Sequence, residues 1–203
     1  LQGQHETISS NAATRTPEAE APPSARTADE ICRNIRLGPR SRKLLAPGLK
    51  PGQYLSLLVE NRLHADAVRY MAHALLNREA VWWACLCTRS TVGENLSTMP
   101  EAQRQGLGAA VRWVLEPTEA HRQGAARWVE PAGVRTPAGA LAKAASFALG
   151  QSEPVPLGSN PPNALLTARL AAASVLLSGT TADQLRRFIV LGLDVAYGQN
   201  RWN

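Results

Sequence analysis

Arg78-Glu79-Ala80-Val81-Trp82-Trp83-Ala84-Cys85-Leu86-Cys87 is the stretch whose reading decides the fold. From Ala80 to Cys87 it is apolar all round, so a helix made from it has no face for water and must be surrounded by protein. Asn77 just before it is a plausible N-cap, and Glu79 in the first turn is favoured by the helix dipole. Composition agrees with a helical reading. Apolar residues make up 44% of the 203 and aromatics only 5%, with Ala and Leu dominant and Ile and Val sparse. Ala and Leu head the helix propensities, whereas strands draw on β-branched and aromatic residues. No segment shows strand alternation. The expectation is an all-α fold, a single compact domain of about eight helices packed around Ala80 to Cys87.

Upstream of that segment, His64 to about Leu76 places Val68, Met71, Ala72 and Leu75 on one helical face. Pro51 suits the first position of a helix running to about Asn61, and the two amphipathic helices read as a hairpin. Ala46-Pro47-Gly48 and Pro51-Gly52 punctuate the chain before it. Thr27-Ala28-Asp29-Glu30 has the form of a capping box and opens a helix expected to end near Leu37, at Gly38-Pro39. Residues 1–26 are polar and rich in Ala, Thr, Ser, Glu and Pro. They cannot bury enough apolar surface to offset chain entropy, and a disordered tail is expected there ahead of a helical domain over 27–203.

Downstream, Pro100 opens a helix over Glu101 to about Glu116 and Pro117 another from Thr118 to about Val129. Their wording is shared: Glu101-Ala102-Gln103-Arg104-Gln105-Gly106 against Glu119-Ala120-His121-Arg122-Gln123-Gly124, each later reaching Arg-Trp-Val. The spacing to Arg112-Trp113-Val114 and Arg127-Trp128-Val129 differs and there is no third copy, which argues against a true repeat array. Thr136-Pro137 starts a helix closed by Gly150. Gln151 to Asn163, with four prolines, reads as an extended connector. Two last helices follow, Asn163 to about Leu177 and, capped by Thr181, Ala182 to about Tyr197. Gly192 in the latter suggests close helix packing.

Charge is unevenly placed. The formal net charge is +6, and between Glu30 and Glu60 no acidic residue occurs while Arg33, Arg36, Arg40, Arg42, Lys43 and Lys50 do. Such a patch suits an acidic partner, a phosphate or a membrane surface. No aromatic that could stack on a base appears in it before Tyr54, which argues against nucleic acid as the partner. Catalytic and metal motifs do not emerge. His64 and His73 lie nine apart rather than four and outside any HExxH, and His121 stands alone. Cys85 and Cys87 point about 200° apart on a helix, so they read as buried apolar thiols rather than joint ligands. There is no GxSxG, no P-loop and no Gly-rich dinucleotide turn. Asp29, Asp66 and Asp183 fall in first turns as caps, while Asp194 lies mid-helix beside Gly192. Trp202, next to Arg201, could anchor a partner protein. No run approaches the ~20 apolar residues of a membrane span, and with no signal-peptide pattern in the first 27 residues the expectation is a cytoplasmic protein.

The strings Ser41-Arg42-Lys43-Leu44-Leu45-Ala46-Pro47-Gly48-Leu49, Ala67-Val68-Arg69-Tyr70-Met71-Ala72-His73-Ala74-Leu75 and, above all, Arg78-Glu79-Ala80-Val81-Trp82-Trp83-Ala84-Cys85 resemble an uncharacterised bacterial family of unknown function. The likeness continues through Pro117-Thr118-Glu119-Ala120, Thr136-Pro137-Ala138-Gly139 and Gly192-Leu193-Asp194-Val195-Ala196. The resemblance implies an all-helical bacterial protein without assigned activity, encoded near contractile type VI secretion genes. Together these readings give the expectation of a non-enzymatic adaptor or accessory protein with no cofactor and no metal. Its protein partner, a secretion-system component on the strength of the resemblance, would be engaged through Arg33, Arg36, Arg40, Arg42, Lys43 and Trp202. The alternatives are nucleic-acid or phosphate binding through residues 33–50, and a ligand-binding or enzymatic site near Trp82, Trp83, Glu79 or Asp194.

Overall fold

The computed structural model describes residues 26–93, 96–148, 162–200 and 202. Residues 1–25 of the tail expected over 1–26, most of the connector and Arg201 lie outside the described residues. Among the described residues the chain is all-α with no strand, and eight of its eleven helices are eight residues or longer. In chain order they are α1 (Ala28–Cys32), α2 (Pro39–Lys43), α3 (Pro51–Glu60), α4 (His64–Ala74), α5 (Asn77–Val92) and α6 (Glu101–Leu115). Then come α7 (Glu119–Ala126), α8 (Val129–Ala132), α9 (Pro137–Phe147), α10 (Pro162–Ser178) and α11 (Ala182–Ala196).

Helix α5 packs against α4, α6, α9, α10 and α11, so the apolar string occupies the centre it was expected to occupy. Val81, Trp83, Ala84, Cys85 and Cys87 are buried, while Trp82 and Leu86, one turn apart on a shared face, remain half-buried. Helix α10 is the second axis, lying along α9, α5 and α4. Around this pair, α1, α3, α4 and α11 cover one side and α6 to α9 the other. Helix α9 is even more enclosed than α5. Ala138, Gly139, Ala140, Leu141, Ala142, Ala144, Ala145 and Ser146 are all buried, and so many Ala side chains let α9 and α10 approach closely. One close approach is backbone to backbone: a Cβ on Gly139 would stand 1.9 Å from the Gly133 carbonyl oxygen.

The α5–α10 seam also holds polar groups, all satisfied. Thr88 Oγ1 lies 3.2 Å from both Ser174 Oγ and Ser178 Oγ, and those hydroxyls donate on to the carbonyls of Pro137 and Ser174 at 2.9 Å. Buried hydroxyls tied this way fix the register of the two helices instead of costing an unmade bond. Gly192 acts as its position suggested. A Cβ there would meet Met71 Cγ at 2.9 Å and Trp83 Nε1 at 3.1 Å. Its absence lets the Trp83 indole donate to the Phe188 carbonyl at 2.7 Å and lock α11 onto α5.

Several boundaries differ from the sequence reading. The first helix stops at Cys32 rather than near Leu37, yet Ile35 and Leu37 stay buried, held by tertiary packing rather than helix periodicity. A separate short helix, α2, follows Gly38, with Pro39 in its first turn. Asn77 is the first residue of α5 rather than its cap. Leu76 takes the cap position, and its N–H donates to the Glu79 carboxylate at 3.0 Å. The helix expected over Thr118 to Val129 breaks after Ala126, and α8 begins at Val129. Thr181 caps its helix as expected, and Thr118 and Thr136 also act as caps: the three accept from the N–H groups of Gln184, His121 and Gly139.

Candidate functional site

The basic stretch becomes a defined surface because one carboxylate organises it. Asp66, in the first turn of α4, does not cap its own helix. Its Oδ2 accepts the Gly38 N–H at 2.9 Å and the Ser41 hydroxyl, so it caps the N-terminus of α2 from another element. Its Oδ1 accepts from Arg69 at 2.6 Å. Burial pushes this carboxyl up, but the Ser41 hydroxyl, the Gly38 N–H and Arg69 outweigh it and hold the group below the usual carboxylate range. From the other side, the Tyr54 hydroxyl donates to the Ser41 carbonyl at 2.8 Å. Helix α2 is thereby clamped, and Arg33, Arg36, Arg40, Arg42, Lys43 and Lys50 are all exposed around it. Tyr54, the aromatic nearest this surface in sequence, is fully buried and cannot stack on a base.

Two shallow grooves flank the segment that carries Ile35. The smaller takes Arg33 and Arg42 together with Asp29 and Cys32. The larger, about 460 Å³, brings Arg36 together with Arg69 and His73 of α4 and with Arg169 of α10 over an apolar floor that includes Leu176. Arg169 is steered by a bond from its guanidinium to the Asn34 carbonyl at 3.2 Å. Arg26 reaches the same region, donating to the carbonyls of His73 and Ala74 at 3.2 and 3.4 Å. His73 sits in the last turn of α4 but is no surface histidine, being only 8% exposed. Burial, then Arg169 and Arg26, lowers its pKa to about 4, so the ring is neutral near pH 7. The sequence reading found Arg36 and missed His73, Arg69 and Arg169 as site residues. Arg69 and His73 share α4, but Arg36 and Arg169 lie far from them in the chain, and only the packing of α10 on α4 assembles the set.

Trp202 is docked rather than projecting. Its ring lies edge-on to Trp82, with centroids 6.4 Å apart, and the Arg78 guanidinium stands 4.4 Å over its face. Trp82 Nε1 donates to the Asn200 carbonyl at 2.6 Å, and Arg78 also donates to the Val114 and Leu115 carbonyls at the end of α6. The terminal segment is thus tied down on the half-covered face of α5. Glu79 caps α5, and Asp194 is half-exposed with Asn200 Nδ2 at 3.4 Å. Neither lines the two grooves. Among the described residues, no three His, Cys, Asp or Glu side chains gather as a metal-ligating group, and no helix is long and apolar enough to cross a membrane.

These features define an all-helical bundle whose distinctive surface is cationic and whose most specific sequence string is spent on packing. The chain belongs to the family of unknown function DUF6931, which matches residues 54–196. That span holds His73, Arg69 and Arg169 but begins after the basic stretch of 33–50 and ends before Trp202. No curated protein and no solved structure matches the chain.

Proposed function

We propose that this chain is a non-enzymatic adaptor that docks an acidic surface of a partner protein onto the cationic face formed by α2 and the Arg33–Arg36 segment before it. The observation that carries the reading is the clamping of α2 by Asp66, which fixes the backbone carrying exposed Arg40, Arg42 and Lys43 beside exposed Arg33, with no acidic residue between Glu30 and Glu60. Preorganised cations lose little entropy on binding and speed encounter with an acidic partner. The setting this reading implies is the bacterial cytoplasm. The resemblance directs the search to contractile type VI secretion components, for which the adaptor would be an accessory subunit.

The test is affinity purification of the tagged chain from its native host after nuclease treatment, beside an Arg33→Glu/Arg40→Glu/Lys43→Glu variant. A stoichiometric partner recovered by the native chain and lost by the variant is expected. Equal recovery by both, or no stoichiometric partner with either, removes the proposal.

A further inference from the structure

We propose that the groove between the Asn34–Arg36 segment, α4 and α10 is a binding site for a phosphate monoester. Three arginines from three separate parts of the chain, Arg36, Arg69 and Arg169, converge on it with His73. Convergence of this kind differs from the basic face of α2, whose charges are neighbours in sequence. Planar guanidinium forks suit oxyanions with two or three oxygens, and immobilised ones suit them best. Arg169 is held in place by the Asn34 carbonyl and Arg69 by Asp66.

The charge balance favours a dianion. Asp66 offsets Arg69, and Glu30 lies within electrostatic reach of Arg26. Arg36 and Arg169 face no carboxylate among the described residues. The His73 ring is nine-tenths buried, lines the groove, and makes no hydrogen bond to a described residue. A neutral imidazole can donate one N–H to a phosphate oxygen, and a dianion beside it favours its protonation. The floor, with Ile35, Ala172 and Leu176, is apolar and suits a small organic body attached to the phosphate. Its charges come from three parts of the chain over an apolar floor rather than from the face of α2, so this site stands apart from the adaptor reading. Arg36 borders both surfaces; Arg40 and Lys43 belong to the adaptor face alone.

Calorimetric titration of the full chain with glycerol 3-phosphate, and flotation with phosphatidylcholine vesicles carrying phosphatidic acid, test the site with the same phosphate from a soluble and a lipid source. Saturable binding of at least one of them is expected. Arg36→Gln and Arg169→Gln should each weaken it about tenfold or more, as loss of one charge-assisted bond predicts. Arg40→Gln/Lys43→Gln should leave it unchanged. Binding should also move the His73 ring titration upward by NMR. Vesicle binding without binding of the soluble ester, if lost in Arg36→Gln, supports the site and assigns the phosphate to a lipid headgroup. Absence of binding to either probe overturns the proposal. So does binding that Arg36→Gln leaves intact in a folded protein, or that the Arg40/Lys43 variant weakens as much. Failure of the adaptor pulldown leaves all these outcomes untouched.

Discussion

His73 illustrates how one side chain can link a surface to the stability of the whole chain. Its ring is nearly enclosed, and the cations Arg26, Arg36, Arg69 and Arg169 stand around it, with Asp66 neutralising one of them. Burial, then Arg169 and Arg26, bring its pKa to about 4 from the ordinary 6.5. A folded-state pKa below the unfolded value means that the unfolded chain binds the proton more readily. The stabilisation is therefore complete above pH 6.5 and is lost as pH falls toward 4. Between pH 6.5 and 4.5 the loss should be about 2 kcal/mol. Urea denaturation at these two pH values should show that drop in the native chain and a smaller one in His73→Gln. An equal slope in both would mean that the imidazole is not the titrating group. Nothing in the sequence marks His73 out, because its neighbours in chain order are apolar. By contrast, Arg78, Glu79, Val81 and Trp83 were legible as a unit, since an apolar run bounded by a first-turn acid is a local pattern. The bonds they make, to the end of α6 and to α11, are not local and were not legible.

At the scale of elements, α6 and α7 show why shared wording need not mean shared structure. Both copies do form the same local cluster: Glu101 accepts from Arg104 and Gln105, and Glu119 from Arg122 and Gln123. The resemblance ends at the glycine that follows. A Cβ on Gly106 would meet Ala132 Cβ at 3.1 Å and the Ala138 carbonyl oxygen at 3.4 Å, whereas one on Gly124 would meet nothing within 4 Å. Gly124→Ala should therefore stabilise the chain by about 0.5–1 kcal/mol through helix propensity alone. Gly106→Ala gains the same propensity but crowds α8 and α9, and should destabilise by about 1 kcal/mol. Thermal melts of the two variants should move in opposite directions; a common direction would mean that the α6–α8 contact is looser than its geometry. Helix starts were readable at Thr136 and Thr181, where a side chain caps its own helix. The start of α2 was not, because its cap is Asp66, 28 residues away.

Across the whole molecule, α5 joins two sides that otherwise meet mainly through α10. Whether they unfold together can be asked of the thiols. Cys85 and Cys87 are 2% and 0% exposed, and burial pushes both thiols well above their ordinary range. Cys32 is half-buried, and burial raises it to about 11. Because the thiolate is the reactive form, roughly one in a thousand Cys32 thiols is ionised at pH 8, so it should label slowly from the native state. Helix α5 is packed by α4, α6, α9, α10 and α11, and its Cys85 and Cys87 point about 200° apart, so no single helix can swing away and expose both. Their labelling should require global opening and proceed at one common rate. The free energy from that rate, under conditions where reclosing outruns labelling, should equal the value from urea denaturation. A smaller value would show that α6 to α9 open as a separate unit and that the bundle holds two cooperative bodies. Equality is the outcome the architecture requires, since opening α6 to α9 strips Arg78 from the Val114 and Leu115 carbonyls of α6 on one flank and Ser174 from the Pro137 carbonyl of α9 on another.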